Sequence, residues 1–186
     1  MKNLLCAFLI CIIAFCSCGC KSEANTRLLQ KEFTEEEVLS LALDSQLLSQ
    51  NWQSAQEIPP DFLFQFYEAL VIHGYVSAKE EESQINRTLV EDVITRFFDI
   101  QPTQIRKSSY YDKKSKTYLI GGLGNVLDYQ IEQISKTDHL TEIDYRLSYH
   151  NQPKNSGKLI ISSTDKFHIQ FLSHQITGKS FDEKNE

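Results

Sequence analysis

The chain has 186 residues, of which 41% are hydrophobic and 24% are charged, values typical of a globular domain and unlike those of a wholly disordered chain. Its formal net charge of −6 disfavours a nucleic-acid partner, because a phosphate backbone repels an acidic surface on average. All five cysteines fall within the first 20 residues, so a disulfide scaffold, a cysteine zinc site and a thiol nucleophile are excluded from the rest of the chain.

Residues 1–20 have the three parts of a secretory signal. Lys2 gives a positive start, Leu4 to Phe15 form an apolar stretch, and the run Cys-Ser-Cys-Gly-Cys at 16–20 supplies small residues before a cleavage point. The apolar stretch is shorter than the roughly 20 residues that cross a bilayer. A core segment or a permanent membrane helix is therefore the less favoured interpretation.

The same segment resembles the lipobox of bacterial lipoproteins, of the Gram-positive type, whose cysteine receives diacylglycerol before the signal peptidase cuts. The resemblance implies that Cys20, preceded by Gly19, carries the lipid, with Cys18 after Ser17 as the alternative. Ser17, at the third position before Cys20, departs from the usual leucine. Acyl chains contribute about 0.8 kcal/mol per buried CH₂, and two or three chains anchor a protein stably. The expected location is the extracytoplasmic face of the cell membrane, with the membrane itself as a partner.

The signal is expected to cover residues 1–19, the lipidated tether residues 20–32 and a single folded domain residues 33–176. In that domain the first predicted helix begins at Thr34, where Thr34-Glu35-Glu36-Glu37 has the form of a capping box. Phe33 and Val38 supply a hydrophobic staple, and apolar residues recur at helical spacing to about residue 50. We interpret the acidic run as a cap, not as a metal site.

Two further helices are predicted within residues 33–101. Phe62 to Val76, after two prolines, is apolar on nearly every side and should form the central buried helix. His73 near its end is interpreted as a core or rim histidine. A third helix is predicted from a second capping box, Thr88 to Glu91, and should stop at Pro102.

Residues 104–176 are predicted to form a sheet, because the hydrophobic period changes there from helical to two and turn residues recur. Short links suit hairpins, and clean alternation predicts one buried and one exposed face. The predicted fold class is α+β, with about three N-terminal helices packed on a C-terminal antiparallel meander of five to six strands. This layout is similar to cystatin-like and nuclear-transport-factor-like folds, although no motif carries the likeness. The polar tail, residues 177–186, should fray.

Three patterns with chemical potential have simpler structural interpretations. The glycines at 121–124 lack the last glycine of a dinucleotide fingerprint and the lysine of a phosphate loop, so a hairpin or bulge is favoured. Glu142 and Asp144 could form a calcium or glycosidase pair, but Arg146 beside them favours a solvated charge ladder. His168 and His174 are expected to be singly exposed on one strand face, about 20 Å apart.

No motif in the sequence indicates a catalytic residue, a cofactor or a metal. The five histidines show no metal-binding spacing, and no nucleophile-elbow motif occurs; the histidines are His73, His139, His150, His168 and His174. Four tyrosines of the predicted sheet could line a concave site for a peptide, glycan or lipid, with half-buried core as the competing interpretation; these are Tyr118, Tyr129, Tyr145 and Tyr149.

The leading functional hypothesis is a tethered, non-enzymatic domain that binds an envelope protein, a cell-wall polymer or a small ligand. The alternative is an extracytoplasmic hydrolase with a cavity between helices and sheet. A third hypothesis, a purely structural role, predicts homo-oligomers formed through a strand edge.

Overall fold

The computed structural model of the chain describes residues 31–77, 83–123, 127–150 and 152–178. The predicted signal, the lipobox with Cys18 and Cys20, and all of the predicted tether before Lys31 lie outside the described residues, as does the tail from 179 onward. Among the helices described, none has the length and apolar character needed to cross a membrane.

The described residues form four α-helices, seven strands and two short 3₁₀ turns. The helices are α1 (Glu35–Asp44), α2 (Pro60–Ile72), α3 (Arg87–Phe97) and α4 (Pro102–Ile105), and the 3₁₀ turns are Leu47–Ser49 and Ala55–Glu57. The strands are β1 (Gln84–Asn86), β2 (Tyr111–Asp112), β3 (Thr117–Leu119), β4 (Asp128–Lys136), β5 (Leu140–Tyr149), β6 (Gln152–Asp165) and β7 (His168–Gly178).

The α+β class is confirmed, but the predicted single sheet of five to six strands is wrong. The strands divide into a three-stranded sheet in the order β1-β3-β2 and a four-stranded antiparallel meander in the order β4-β5-β6-β7. Because β1 lies between α2 and α3, the helices do not all precede the strands. The division occurs after β3, where Gly121 and Gly122 donate backbone N–H groups to Glu68 of α2 instead of continuing a ladder. The glycines thus separate two sheets, and the predicted glycine hairpin or bulge is wrong for the described residues.

The helix starts show one confirmed cap and one correction. Thr34 caps α1: its Oγ1 accepts from Glu37 N at 3.2 Å, and Glu37 Oε2 accepts from Thr34 N at 3.1 Å. The second capping box is wrong, because Asn86 caps α3 by accepting from Thr88 N at 2.8 Å. Asparagine is a preferred N-cap residue, and it precedes the threonine that the pattern selected. The predicted stop at Pro102 is wrong, because α3 ends at Phe97 and Pro102 begins α4, which the alternation pattern missed.

The central position of α2 is confirmed. All eight of its residues from Leu63 to Leu70 are buried. On its inner side the ring of Phe66 packs edge-on against Phe98, which follows α3, and against Phe171 of β7, at centroid distances of 5.0 and 5.1 Å. The core therefore joins the helices to the buried face of the meander.

A β-bulge changes which side chains of β7 face the core. Ile161 of β6 pairs with Phe171 and the preceding Ile160 pairs with Ser173, which leaves Leu172 as an extra residue. The extra residue reverses the alternation, so His168 is exposed while His174 is fully buried. The prediction that both histidines lie on one exposed face is therefore wrong.

Candidate functional site

A cavity of about 330 Å³, named here the strand-end cavity, lies where the start of α1 meets two turns of the meander. These are the turns between β4 and β5 and between β6 and β7, which lie at the same end of an antiparallel meander. The residues that line it are Phe33, Thr34, Glu35, Val38, Lys136, Thr137, Asp138, Thr141, Ile161, Ser163, Thr164, Asp165, Lys166 and Ile169. Three segments distant in sequence thus build one site.

The lining of the strand-end cavity combines an apolar surface with hydroxyl groups. Val38, Ile161 and Ile169 are buried core residues. Thr141 is only 6% exposed and Ser163 is half-buried, so their hydroxyl groups lie next to the apolar residues. Apolar surface with a few placed polar groups is the usual composition of a ligand pocket.

Ion pairs within the chain neutralise both lysines that line the cavity. Lys136 pairs with Glu35 and Lys166 pairs with Glu32. The hydrogen bond from Lys136 lowers the pKa of Glu35. Asp165 accepts a hydrogen bond from Phe167 N at 2.7 Å, and this bond, with the neighbouring His168, lowers the pKa of its carboxyl.

Asp138 is the lining carboxylate without a hydrogen bond or ion pair to any described residue. Its backbone is nevertheless well held. Thr137 N donates to Leu140 O at 2.9 Å, which closes the turn around Asp138, and Ser163 N donates to His139 O at 3.1 Å, which ties that turn to β6. A free carboxylate is therefore presented on an ordered turn.

The chain enters the domain at the rim of the cavity, where Lys31, Glu32 and Phe33 are docked. The Phe33 ring stacks on Tyr75 at 4.3 Å between centroids, and Phe33 N donates to Lys166 O at 2.9 Å. The Tyr75 hydroxyl donates to Glu32 O at 3.1 Å, and Lys31 Nζ lies 2.9 Å from a carboxylate oxygen of Glu37. Lys31 and Glu32, at the end of the predicted tether, therefore contact the folded domain.

A second cavity, of about 300 Å³, lies between the C-terminal end of α1 and the opposite half of the meander. Its described lining is uncharged and consists of Leu43, Gln46, Leu48, Ser49, Leu127, Leu147 and Asn155. Gln46, Ser49 and Asn155 offer neutral hydrogen-bonding groups there, but no charged group is among the described lining residues.

The four tyrosines do not form one open row. Tyr118 is fully buried in the three-stranded sheet, and Tyr145 is 1% exposed in the core of the meander. Tyr129 is half-buried and donates to Glu36 O at 3.1 Å, while Tyr149 is 39% exposed near the far end of β5. None of the four is among the described lining residues of either cavity.

The Glu142–Asp144 pair belongs to a charge ladder on the outer face of the meander. Lys158 of β6 places its Nζ 2.6 Å from Glu142 and 3.8 Å from Asp144, and Arg146 pairs with Glu132. The ammonium group occupies the position that a calcium ion would need between the carboxylates. Across the described residues, no group of three or more histidine, cysteine or acidic side chains could hold a metal ion.

The backbone N–H groups of the glycine segment bind a carboxylate of the protein itself, the side chain of Glu68. Glu68 Oε1 accepts from Gly121 N at 2.7 Å and from Gly122 N at 3.1 Å, and Glu68 is 5% exposed. A Cβ on Gly121 would lie 2.3 Å from the Tyr110 ring, and Gly122 has a φ of +82°. The loop therefore needs its glycines for close packing and turn geometry, and its N–H groups are already used.

A histidine and a carboxylate do meet at the surface, away from both cavities. His73, the C-cap of α2, places Nε2 2.7 Å from Asp44 Oδ2 at the end of α1, and both side chains are about a quarter exposed. The sequence predicted a core or rim position for His73, and no sequence pattern indicated Asp44 as its partner. Neither residue lines a cavity among the described residues.

Comparison of the chain with family models, with curated proteins and with solved structures gave no match. The candidate site is therefore defined by this chain's own residues: the strand-end cavity, the free carboxylate of Asp138 and the docked segment 31–33.

Proposed function

We propose that the chain is a bacterial lipoprotein held by lipid on Cys20, with Cys18 as the alternative, at the extracytoplasmic face of the cell membrane. Its folded domain is a non-enzymatic binding module, and the strand-end cavity is the binding site. The observation that carries this proposal is a cavity of about 330 Å³ with an apolar floor, hydroxyl groups and a free carboxylate. The partner is an envelope component and not a nucleic acid.

The docked segment 31–33 supports a location of this cavity close to the membrane. Phe33 and Thr34 line the cavity, so the chain leaves the domain at its rim. From Cys20 to Lys31 a polypeptide can span at most roughly 40 Å, at about 3.5 Å per residue. A lipid on Cys20 therefore keeps the cavity within that distance of the bilayer surface, where membrane-borne or wall-borne ligands are concentrated.

The hydrolase alternative stays a prediction with less structural support. It requires a histidine and a carboxylate that converge on the substrate in a cavity. One described pair of this kind, His73 and Asp44, lies outside the lining of both cavities. Another is His168 and Asp165, of which only Asp165 lines the strand-end cavity, and its carboxylate is already hydrogen-bonded to Phe167 N and His168. The cystatin-like or nuclear-transport-factor-like layout also stays a prediction, as does assembly through a strand edge.

Site-specific photo-crosslinking in cells tests the proposal. A photoreactive residue replaces Thr164 at the cavity, and a matched variant carries it at Gln175, which is exposed on β7 outside the cavity lining. We expect a discrete crosslinked product from position 164 alone, and we expect Cys20→Ala to abolish both the incorporation of a labelled fatty acid into the protein and the cleavage of its signal.

Two outcomes would contradict the proposal. Equal products from positions 164 and 175 would show that the cavity is not the binding site. Fatty-acid labelling that persists in a Cys18→Ala, Cys20→Ala double variant would show that neither cysteine carries the lipid.

A further inference from the structure

We propose that the strand-end cavity binds a primary ammonium group carried on a short apolar stem, with the Asp138 carboxylate as its partner. This inference rests on the proposed function of the cavity as a binding site and adds the chemical class of the ligand.

The segments that build the cavity carry an excess of negative charge. Residues 31–38, 136–141 and 161–169 contain six carboxylates and three lysines; the carboxylates are Glu32, Glu35, Glu36, Glu37, Asp138 and Asp165. At physiological salt, charges within about 8 Å still act on one another. A cation entering the cavity is attracted by this field, and an anion is repelled.

The positive groups are already satisfied within the chain. Each of the three lysines forms an ion pair with a glutamate: Lys136 with Glu35, Lys166 with Glu32, and Lys31 with Glu37. An anionic ligand would have to displace a glutamate from a lysine before it gained a partner. A cationic ligand finds a carboxylate, Asp138, that has no partner among the described residues.

The lining favours a primary ammonium over a quaternary one. A primary ammonium has three N–H donors, and the lining contains acceptors for such donors in the Asp138 carboxylate and the hydroxyls of Thr141 and Ser163. A quaternary ammonium has no donor and is usually held by several aromatic rings. Phe33 is the single aromatic residue in the described lining, and its ring is stacked on Tyr75. Val38, Ile161 and Ile169 are available for an aliphatic stem.

The test follows the isoleucine methyl signals of Ile161 and Ile169 by NMR in the full-length lipoprotein, held in phosphatidylcholine nanodiscs. The probe is n-butylamine at pH 7, where it is an ammonium, and the comparison probes are butyrate and tetramethylammonium. We expect saturable shifts of both methyl signals with butylamine alone.

Two matched variants separate the role of Asp138 from a general charge effect. Asp138→Asn keeps a residue that suits a turn, and we expect butylamine to bind about tenfold more weakly, as for loss of a charge-assisted hydrogen bond. Asp128→Asn makes the same charge change at the exposed opposite end of β4 and should leave binding unchanged.

The outcomes separate this inference from the proposed function. If butyrate shifts the methyl signals as butylamine does, or if both variants weaken binding equally, the cavity binds a ligand but the ammonium assignment is wrong. If no probe produces a saturable shift, the ammonium inference is wrong, while crosslinking from position 164 decides separately whether the cavity is a binding site.

A second arm identifies the source of the ammonium group. Replacing phosphatidylcholine by phosphatidylethanolamine presents a primary ammonium on the lipid itself. A shift of the Ile161 and Ile169 signals on this change, reversed by Asp138→Asn, supports a lipid headgroup. Binding of butylamine in both lipids without that shift supports a free or wall-borne amine.

Discussion

The hydroxyl of Tyr145 lies 2.6 Å from His174 Nε2, and both side chains are buried in the core. His174 Nδ1 lies 2.7 Å from the carbonyl oxygen of Gln50, so this nitrogen donates and Nε2 accepts from the tyrosine. Backbone hydrogen bonds between Trp52 and His174 in both directions complete the connection. The pair thus fixes β5, β7 and the segment 50–52 to one another.

Replacing Tyr145 by phenylalanine should destabilise the domain by roughly 1–3 kcal/mol, because His174 Nε2 would be left buried without a hydrogen-bond partner. The free energy of unfolding in urea measures the loss. Tyr149→Phe, at an exposed position, is the control and should change stability by less than about 0.5 kcal/mol. Equal effects of the two variants would show that the buried hydrogen bond contributes nothing.

His174 should make stability depend on pH. Burial lowers its pKa, and the hydrogen bond to the Gln50 carbonyl offsets only part of that shift. The contribution is complete above the ordinary histidine value of about 6.5 and decreases as the pH falls below it, because only the unfolded chain then binds the proton. The unfolding free energy of wild type minus that of His174→Gln should therefore shrink from pH 8 to pH 5. A constant difference would contradict the assignment.

Gly157→Ala should destabilise the meander by roughly 1–3 kcal/mol through overpacking. A Cβ at Gly157 would lie 2.5 Å from the Tyr145 hydroxyl oxygen, and Tyr145 is held in the core by His174. Gly178→Ala is the control, because the nearest atom to its Cβ is 3.4 Å away. Thermal unfolding of both variants compares the two positions, and an unchanged transition for Gly157→Ala would mean that Tyr145 can move.

Glu68→Ala should cost more stability than Glu68→Gln, by roughly 1–2 kcal/mol. Alanine leaves the N–H groups of Gly121 and Gly122 without their acceptor, whereas glutamine keeps an oxygen for them. Glu68 Oε2 is buried without a hydrogen bond to a described residue, so loss of the charge itself should cost little. Urea unfolding of the two variants is the measurement, and a larger loss for glutamine would show that the negative charge is essential.

Phe33→Ala should weaken the attachment of the entering chain and cost roughly 1–3 kcal/mol, because the ring packs on Tyr75 and edge-on against Phe97. Ile72→Ala removes a side chain that is 65% exposed and is the control, with little expected change. Unfolding free energies compare the variants. If Phe33→Ala were as mild as the control, segment 31–33 would behave as part of the tether.

The elements that sequence patterns predicted correctly depend on near neighbours. The capping box of Thr34 with Glu37 spans three residues, and the alternation of Ile143, Tyr145 and Leu147 follows from the pleat of β5. The errors arise where a competing interaction intervenes. Asn86, and not Thr88, is the N-cap of α3. The bulge at Leu172 reverses the alternation of β7, so the side chain of His174 faces the core.

Sequence patterns could not predict the candidate site, because they report only on residues that are near neighbours in the chain. Asp138, Thr141 and Ser163 carry no motif, and their importance comes from the meander, which brings two turns beside the start of α1. The number of tyrosines in the predicted sheet suggested a binding surface, but Tyr118 and Tyr145 are buried, and tertiary packing decides that burial.

By itself the sequence determined the α+β class, the central buried helix and the confinement of all cysteines to the first 20 residues, because composition and short-range periodicity encode these properties. The tertiary structure alone decided the division into two sheets, the docking of Phe33 and the cavity around Asp138. The hydrogen bond from Gly121 to Glu68 joins residues 53 positions apart, and such contacts leave no local pattern. They form only when the chain has collapsed around its core, and they create the candidate site.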